Sequence, residues 1–149
     1  MIIDKEKHIK NILVSYLNLT GLSILPQLLN PKSLVQYFDQ VNFVLLTHGI
    51  ESDPILNYGN KKAMELWEMT PEEFLKTPSR KTAEAPLREE REQLLQKVNK
   101  FGFINDYHGI RISKSGKRFE IKQATIWNVA DDNGNKIGQA AMFYNYTYL

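Results

Sequence analysis

Between Asp4 and Leu19 the apolar residues Ile9, Ile12, Leu13, Tyr16 and Leu17 recur at helical spacing, with lysines on the other side. This predicts an amphipathic first helix, stopped by Gly21, with Pro26 and Pro31 punctuating the loop after it. A second, short helix is predicted from Lys32 to Gln40, with Leu34, Val35 and Phe38 on one side. "VNFVLLTHG" reads as a buried strand ending at Gly49, and "DPILNYGN" as a short strand after an Asp53-Pro54 turn. Asn60 is placed to cap a helix from Lys61 to Glu68 that carries Ala63, Met64 and Trp67. "TPEE" starts the next, with Thr70 as cap, Pro71 first in the helix and Glu73 completing a capping box. The longest helix is predicted from about Pro86 to Lys100, with Leu87, Leu94, Leu95, Val98 and Phe101 as its stripe.

After Gly102 the period changes from helical to alternating. "FINDYHGIRIS" and "RFEIKQATIWNV" are joined by the turn "KSGK", and "KIGQAAMFYNYTY" follows the turn "DDNGN". Three such neighbours form an antiparallel meander. The class is α+β: a five-stranded antiparallel sheet packed against helices, divided into an N-terminal helical extension (1–40) and a main domain (41–149).

Two strands, short helices, a longer helix and three strands is the element order of a PAS domain. The residues carry the likeness further. "SYLNLTG", "THGIESDPILNYGNKKAMELWEM", "LKTPSRKTAEAPLREER", "FGFINDYHGIRISKSGKRFEI" and "IWNVADDNGNKIGQAAMF" together resemble the MEKHLA domain family, a PAS-related group. The resemblance runs from Val14 to Phe143 and is closest to the stand-alone bacterial type. It implies a sensory or interaction domain with a cavity between sheet and long helix, and it brings no assigned ligand or catalytic residue.

Composition narrows the function. With 149 residues and a net charge of +2 spread over interleaved acidic and basic positions, no field favours nucleic acid or anionic membrane. There is no cysteine, which excludes thiolate catalysis, zinc-thiolate sites and cysteinyl-flavin photochemistry. The start "MIIDKEKHIK" does not read as a signal peptide, and no apolar run is long enough to span a membrane, so the expected location is the cytoplasm.

The stretch "PSRKTAEAPLREER", from Pro78 to Arg91, is the densest in charge. Arg91 falls within the apolar stripe of its helix, unlike Arg88, Glu89 and Glu92, so it must find partners; Glu84 and Glu65 are the nearest candidates. Ser79, Arg80 and Thr82 are placed to satisfy backbone groups. The structural reading is a charge clamp of Arg80, Glu84 and Arg91. The functional one is an anion site in which Arg80 or Arg91 faces a ligand carboxylate, and the clamp is the first expectation.

His8, His48 and His108 lack metal-ligand spacing, and residues 86–101 offer no histidine to a haem, so haem and metal are disfavoured. Gly109 and Gly116 are isolated and form no phosphate loop. Strict alternation puts Phe119, Ile121, Gln123, Thr125, Trp127 and Val129 on one face of their strand, and Gln139 and Asn145 on a face with Ile137, Ala141 and Phe143. Amides among aromatics suit a ligand pocket, for which the candidates are Tyr58, Trp67, Tyr107, Gln123, Trp127, Gln139 and Phe143; the alternative is that they are core. Ala124, Ile126, Ala140, Met142, Tyr144 and Tyr146 would form an apolar outer patch. Ile9, Ile12, Leu13 and Leu17 could cover Met142 and Tyr144 in the same chain or in a homodimer. The expectation is a non-catalytic sensory domain that binds a small apolar or aromatic molecule and signals through association with itself or another protein. The alternatives are a filled interaction module, and a small enzyme using Glu84 or His48.

Overall fold

The computed structural model describes residues 4–26, 29–84 and 88–149. Its elements follow in the order α1 (Lys5–Thr20), α2 (Leu34–Gln40), β1 (Val44–His48), β2 (Leu56–Gly59), α3 (Lys61–Trp67), α4 (Pro71–Phe74), a 3-10 turn (Ser79–Thr82), α5 (Arg88–Phe101), β3 (Phe103–Ile112), β4 (Arg118–Ala130), β5 (Lys136–Phe143) and β6 (Asn145–Tyr148). The predicted helix start at Pro86 and the stripe residue Leu87 lie outside the described residues.

Side-chain caps set the helix boundaries. Asp4 accepts from the Lys7 amide at 3.2 Å, and Gly21, at a φ of 75°, closes α1 onto the Leu17 carbonyl. Helix α2 starts two residues later than its apolar spacing suggests, because Ser33 is its cap. Glu6 of α1 accepts from the amides of Leu34 and Val35 at 3.0 and 2.9 Å, tying the two helices together. The capping box of Thr70 and Glu73 is complete. Asn60 is wholly buried; it caps α3 through the Ala63 amide, accepts from the Leu45 amide, and donates to the carbonyls of Phe38 and Phe43.

The sheet is antiparallel throughout, in the order β2-β1-β5-β4-β3, and β6 continues the β5 side of β4 after a break at Tyr144. It divides two cores. On the outer face α1 and α2 lay Ile9, Ile12, Tyr16, Leu34 and Phe38 against Leu45, Trp127, Val129 and Ala140. On the inner face α3 and α4 lay Ala63, Leu66, Trp67 and Phe74 against Val44, Leu46, Phe119, Ile121, Ala124 and Phe143. Helix α5 adds Leu94 and Val98 against Ile126. Its stripe ends there, since Phe101 is exposed.

Strict alternation fails along a crease that crosses three strands. Gln123 in β4 has a φ of 55° and Asp106 in β3 a φ of 60°, both left-handed. The register steps two residues on β3 against three on β4 around Gln123, and three against two around Asp106. Each is a bulge, and a bulge turns the following side chains to the opposite face. Phe119 and Ile121 therefore face inward before Gln123, and Ala124 and Ile126 face inward after it. Between β5 and β6 the same switch brings both Phe143 and Tyr146 inward. The Asn145 side chain joins the two irregularities, its Nδ2 donating to Oε1 of the Gln123 side chain at 3.1 Å.

This corrects the predicted faces. Gln123 and Asn145 are exposed, and Trp127 and Val129 belong to the outer core. Thr125 pairs with Met142 on that outer side, and Ile137 packs there too. Ala124, Ile126 and Tyr146 belong to the inner face. The outer patch is covered by α1 of the same chain: the Trp127 indole donates to the Ile12 carbonyl at 3.2 Å, and the Ala130 amide donates to Ser15 at 2.9 Å. Ile9 and Ile12 are fully buried in that contact, Leu13 and Met142 partly, whereas Leu17 and Tyr144 are exposed.

The crease predicts an unusual substitution series. A non-glycine residue in the left-handed region costs about 1–2 kcal/mol, so Gln123→Gly should leave stability within about 1 kcal/mol after losing the exposed bond to Asn145. Gln123→Val should lose about 1–3 kcal/mol, because a β-branched side chain fits that backbone worst. Deleting Gln123 would turn Trp127 inward and should abolish cooperative folding. Urea unfolding reads all three, and a valine variant as stable as the parent would show that the crease is dispensable.

Candidate functional site

Between the inner face of the sheet and helix α5 lies a cavity of about 70 Å³. Its walls are mostly apolar: Leu46 from β1, Leu56 from β2, Trp67 from α3, Leu94 and Leu95 from α5, Ile121, Ala124 and Ile126 from β4, and Ala141 and Phe143 from β5. Ser79, Thr82, Arg91, Tyr107, Arg111, His48 and Gln139 supply the polar groups. Trp67 packs edge-on against Phe119 and Phe143, with ring centroids 5.3 and 6.3 Å away.

Arg91 is 3 % exposed, as its place in the stripe of α5 predicts. Its partners are not the predicted ones. One nitrogen pairs with Glu92 at 3.0 Å and another donates to the Ser79 hydroxyl. Glu84 instead pairs with Arg118, Glu65 is exposed, and Arg80 pairs with Asp53 at 3.2 Å outside the cavity. The single clamp of Arg80, Glu84 and Arg91 is thus three separate ion pairs, of which only that of Arg91 borders the cavity.

Arg111 is the second buried cation, at 8 % exposure, and the sequence reading passed over it. It donates to the Ile110 carbonyl at 2.9 Å and stands 5.5 Å over the Tyr107 ring. Among the described residues no carboxylate pairs with it. Gly109, between the two on β3, gives the ring its space: a Cβ there would collide with the phenol of Tyr107. The available signal was the strand period, since an inward-facing Tyr107 implies that Arg111, four residues on, shares its face. Burial holds the Arg91 guanidinium below its usual range, at about 10, and the charge of Arg111 adds to the effect.

His48 ends β1 beside Gln139, its register partner on β5. Its Nδ1 lies 2.9 Å from the Gly49 carbonyl, which can only accept, so Nδ1 carries the proton in the neutral ring and Nε2 is an acceptor. Among the described residues that Nε2 is buried without a partner, as are the indole nitrogen of Trp67, the amide oxygen of Gln139 and, in the outer core, the Tyr58 hydroxyl. The other end of the Gln139 amide donates to Asn99 at 3.0 Å and Asn128 at 3.1 Å, which fixes its orientation. Trp67, Tyr107, Gln139 and Phe143 therefore line the cavity, as the pocket reading has them. Trp127, Gln123 and Tyr58 do not: the first lies behind the sheet, the second is exposed, and Tyr58 sits in the outer core beside His8. Among the described residues no group of three or more His, Asp or Glu side chains could hold a metal ion.

Two predictions follow from these charges. Breaking a buried ion pair costs about 3–5 kcal/mol when the orphaned partner stays buried, but the Glu92 side chain is 57 % exposed and keeps its water. Arg91→Met should therefore lose no more than about 1 kcal/mol, and relief of the repulsion from Arg111 favours a gain. Chemical denaturation showing a loss of 3 kcal/mol or more would make Arg91 a structural linchpin. Burial also lowers the proton affinity of His8 and His48. Below about pH 6.5 the unfolded chain then binds protons that the folded one refuses, so stability is full above that value. It should fall on acidification by at most about 1.4 kcal/mol per pH unit for each histidine. Urea unfolding between pH 7.5 and 5 checks this, with His8→Gln and His48→Gln each flattening the profile; a flat parent profile would refute it.

No curated protein matches this sequence. Among solved structures, the chain superposes on the PAS domain of a protein from Colwellia psychrerythraea with a TM-score of 0.63 at 15% identity, covering 76% of this chain and 92% of that one. A fungal LOV-domain photoreceptor gives 0.62 at 14% identity over 95% and 91%. An RNA-binding light-oxygen-voltage receptor gives 0.63 at 14% identity, covering 83% of this chain and 36% of that one. At such identities the likeness is one of fold: a PAS-like antiparallel sheet with helices, preceded by an N-terminal helix. The family model of the MEKHLA domain matches residues 6–148, from the first turn of α1 to the last residue of β6, and the chain belongs to the MEKHLA domain family.

Proposed function

We propose that this chain is a non-catalytic, cytoplasmic sensory domain that holds a small molecule in the cavity between α5 and the sheet. The observation that carries the reading is the lining: apolar walls together with His48, Trp67 and Gln139, each of which has a buried polar atom without a partner among the described residues. Leaving such a group unpaired costs about 1–3 kcal/mol, so their clustering at one cavity favours a bound molecule over a filled core. The volume suits a compact ligand, well under the roughly 300–1,000 Å³ of pockets for drug-sized molecules.

Occupancy would be passed on by association with a second copy or another protein. Val14 and Leu17 on α1, and Tyr144 against Phe43 at the β5–β6 break, stay exposed and supply the apolar contact for that step. Native mass spectrometry of protein purified from its own cells should show a retained small molecule, and Gln139→Leu should lose it. Light scattering should show an oligomer that Leu17→Glu dissociates without unfolding. Protein that carries no ligand, is stabilised by none in a broad screen and still associates would instead be an interaction module.

A further inference from the structure

We infer that the molecule held in this cavity of about 70 Å³ is a small organic acid whose carboxylate sits between Arg91 of α5 and Arg111 of β3. This rests on the ligand-binding reading above and names its chemistry. Two guanidinium groups, 3 % and 8 % exposed, border one cavity, and a single, mostly hydrated carboxylate answers them. Uncompensated positive charge in an apolar enclosure is costly, and an entering anion removes that cost. Guanidinium forks match a carboxylate in plane and spacing, and the Tyr107 ring, with room made by Gly109, supports the fork of Arg111 from one side.

The rest of the wall argues against an inorganic ion. Leu94, Ile121 and Phe143 offer a chain of a few carbons the apolar contact that phosphate or chloride would not use.

Calorimetry and thermal melting with butyrate and its neutral isostere butyramide separate charge from shape, since each has about six heavy atoms. Butyrate should bind saturably and raise the melting temperature. Butyramide and inorganic phosphate should each bind at least tenfold more weakly, and Arg91→Met and Arg111→Met should each weaken butyrate at least tenfold. The comparison of acid and amide on the unaltered chain needs neither variant to fold. Butyramide binding as well as butyrate, or alone, would overturn the anion reading and leave the sensory reading intact. Phosphate binding as well as butyrate, or butyrate binding unaffected by both variants, would mark adventitious anion binding and likewise overturn it. No binding by acid or amide, together with no molecule retained from cells, would end both readings.

Discussion

Everything in this fold hangs on a crease, the line where β3, β4 and the β5–β6 edge exchange their faces at one level. A long strand with strict alternation serves two layers with the same set of side chains from end to end. Strand β4 instead gives Phe119 and Ile121 to the inner core, changes phase at Gln123, and then gives Ala124 and Ile126 inward and Trp127 and Val129 outward. The switch frees Trp127 to meet α1, so the helix is a structural layer of this chain. It also puts the small Ala124 and Ala141 beneath the cavity where large residues would fill it. The local cost is two left-handed residues, set against two hydrophobic layers that depend on them.

The cavity itself is built against stability. A core of this size could close over Leu94, Ile121 and Phe143 without charge, yet Arg91 and Arg111 are both buried beside it. A neutral, well-packed replacement for such groups often stabilises a fold. His48, Trp67 and Gln139 add to the same cost, each holding a polar atom out of water without a partner among the described residues. Rigid neighbours hold them there: the Asn99 and Asn128 bonds orient Gln139, and Gly49 fixes the ring of His48.

How much of this was legible in the sequence depended on how local the cause was. Helix caps act within four residues, so Asn60, Thr70 and Gly21 could be read directly. The phase of α5 placed Arg91 inside correctly, because helical spacing held from Arg91 through Val98. Its partners were misread because the charges that meet, Glu84 with Arg118 and Arg80 with Asp53, are 34 and 27 residues apart. Strand faces were readable only up to the crease. A glutamine gives no sign of a left-handed backbone, as a glycine would, and so the residues beyond it were assigned to the wrong side. Arg111 lies past the Asp106 bulge in phase with Tyr107, so the strand period alone places it on the face of that ring.

The crease also divides the chain's two tryptophans. Trp127 lies in the outer core, its indole bonded to the Ile12 carbonyl and its ring 4.9 Å from that of Tyr16. Trp67 lies on the other side of the sheet, at the cavity, with its indole nitrogen unbonded. The protein thus contains one tryptophan per core: one reports on the docking of α1, the other on the cavity. With either replaced by phenylalanine, the remaining tryptophan emission belongs to a single layer, so whether an event on one side of the sheet is felt on the other becomes an optical question.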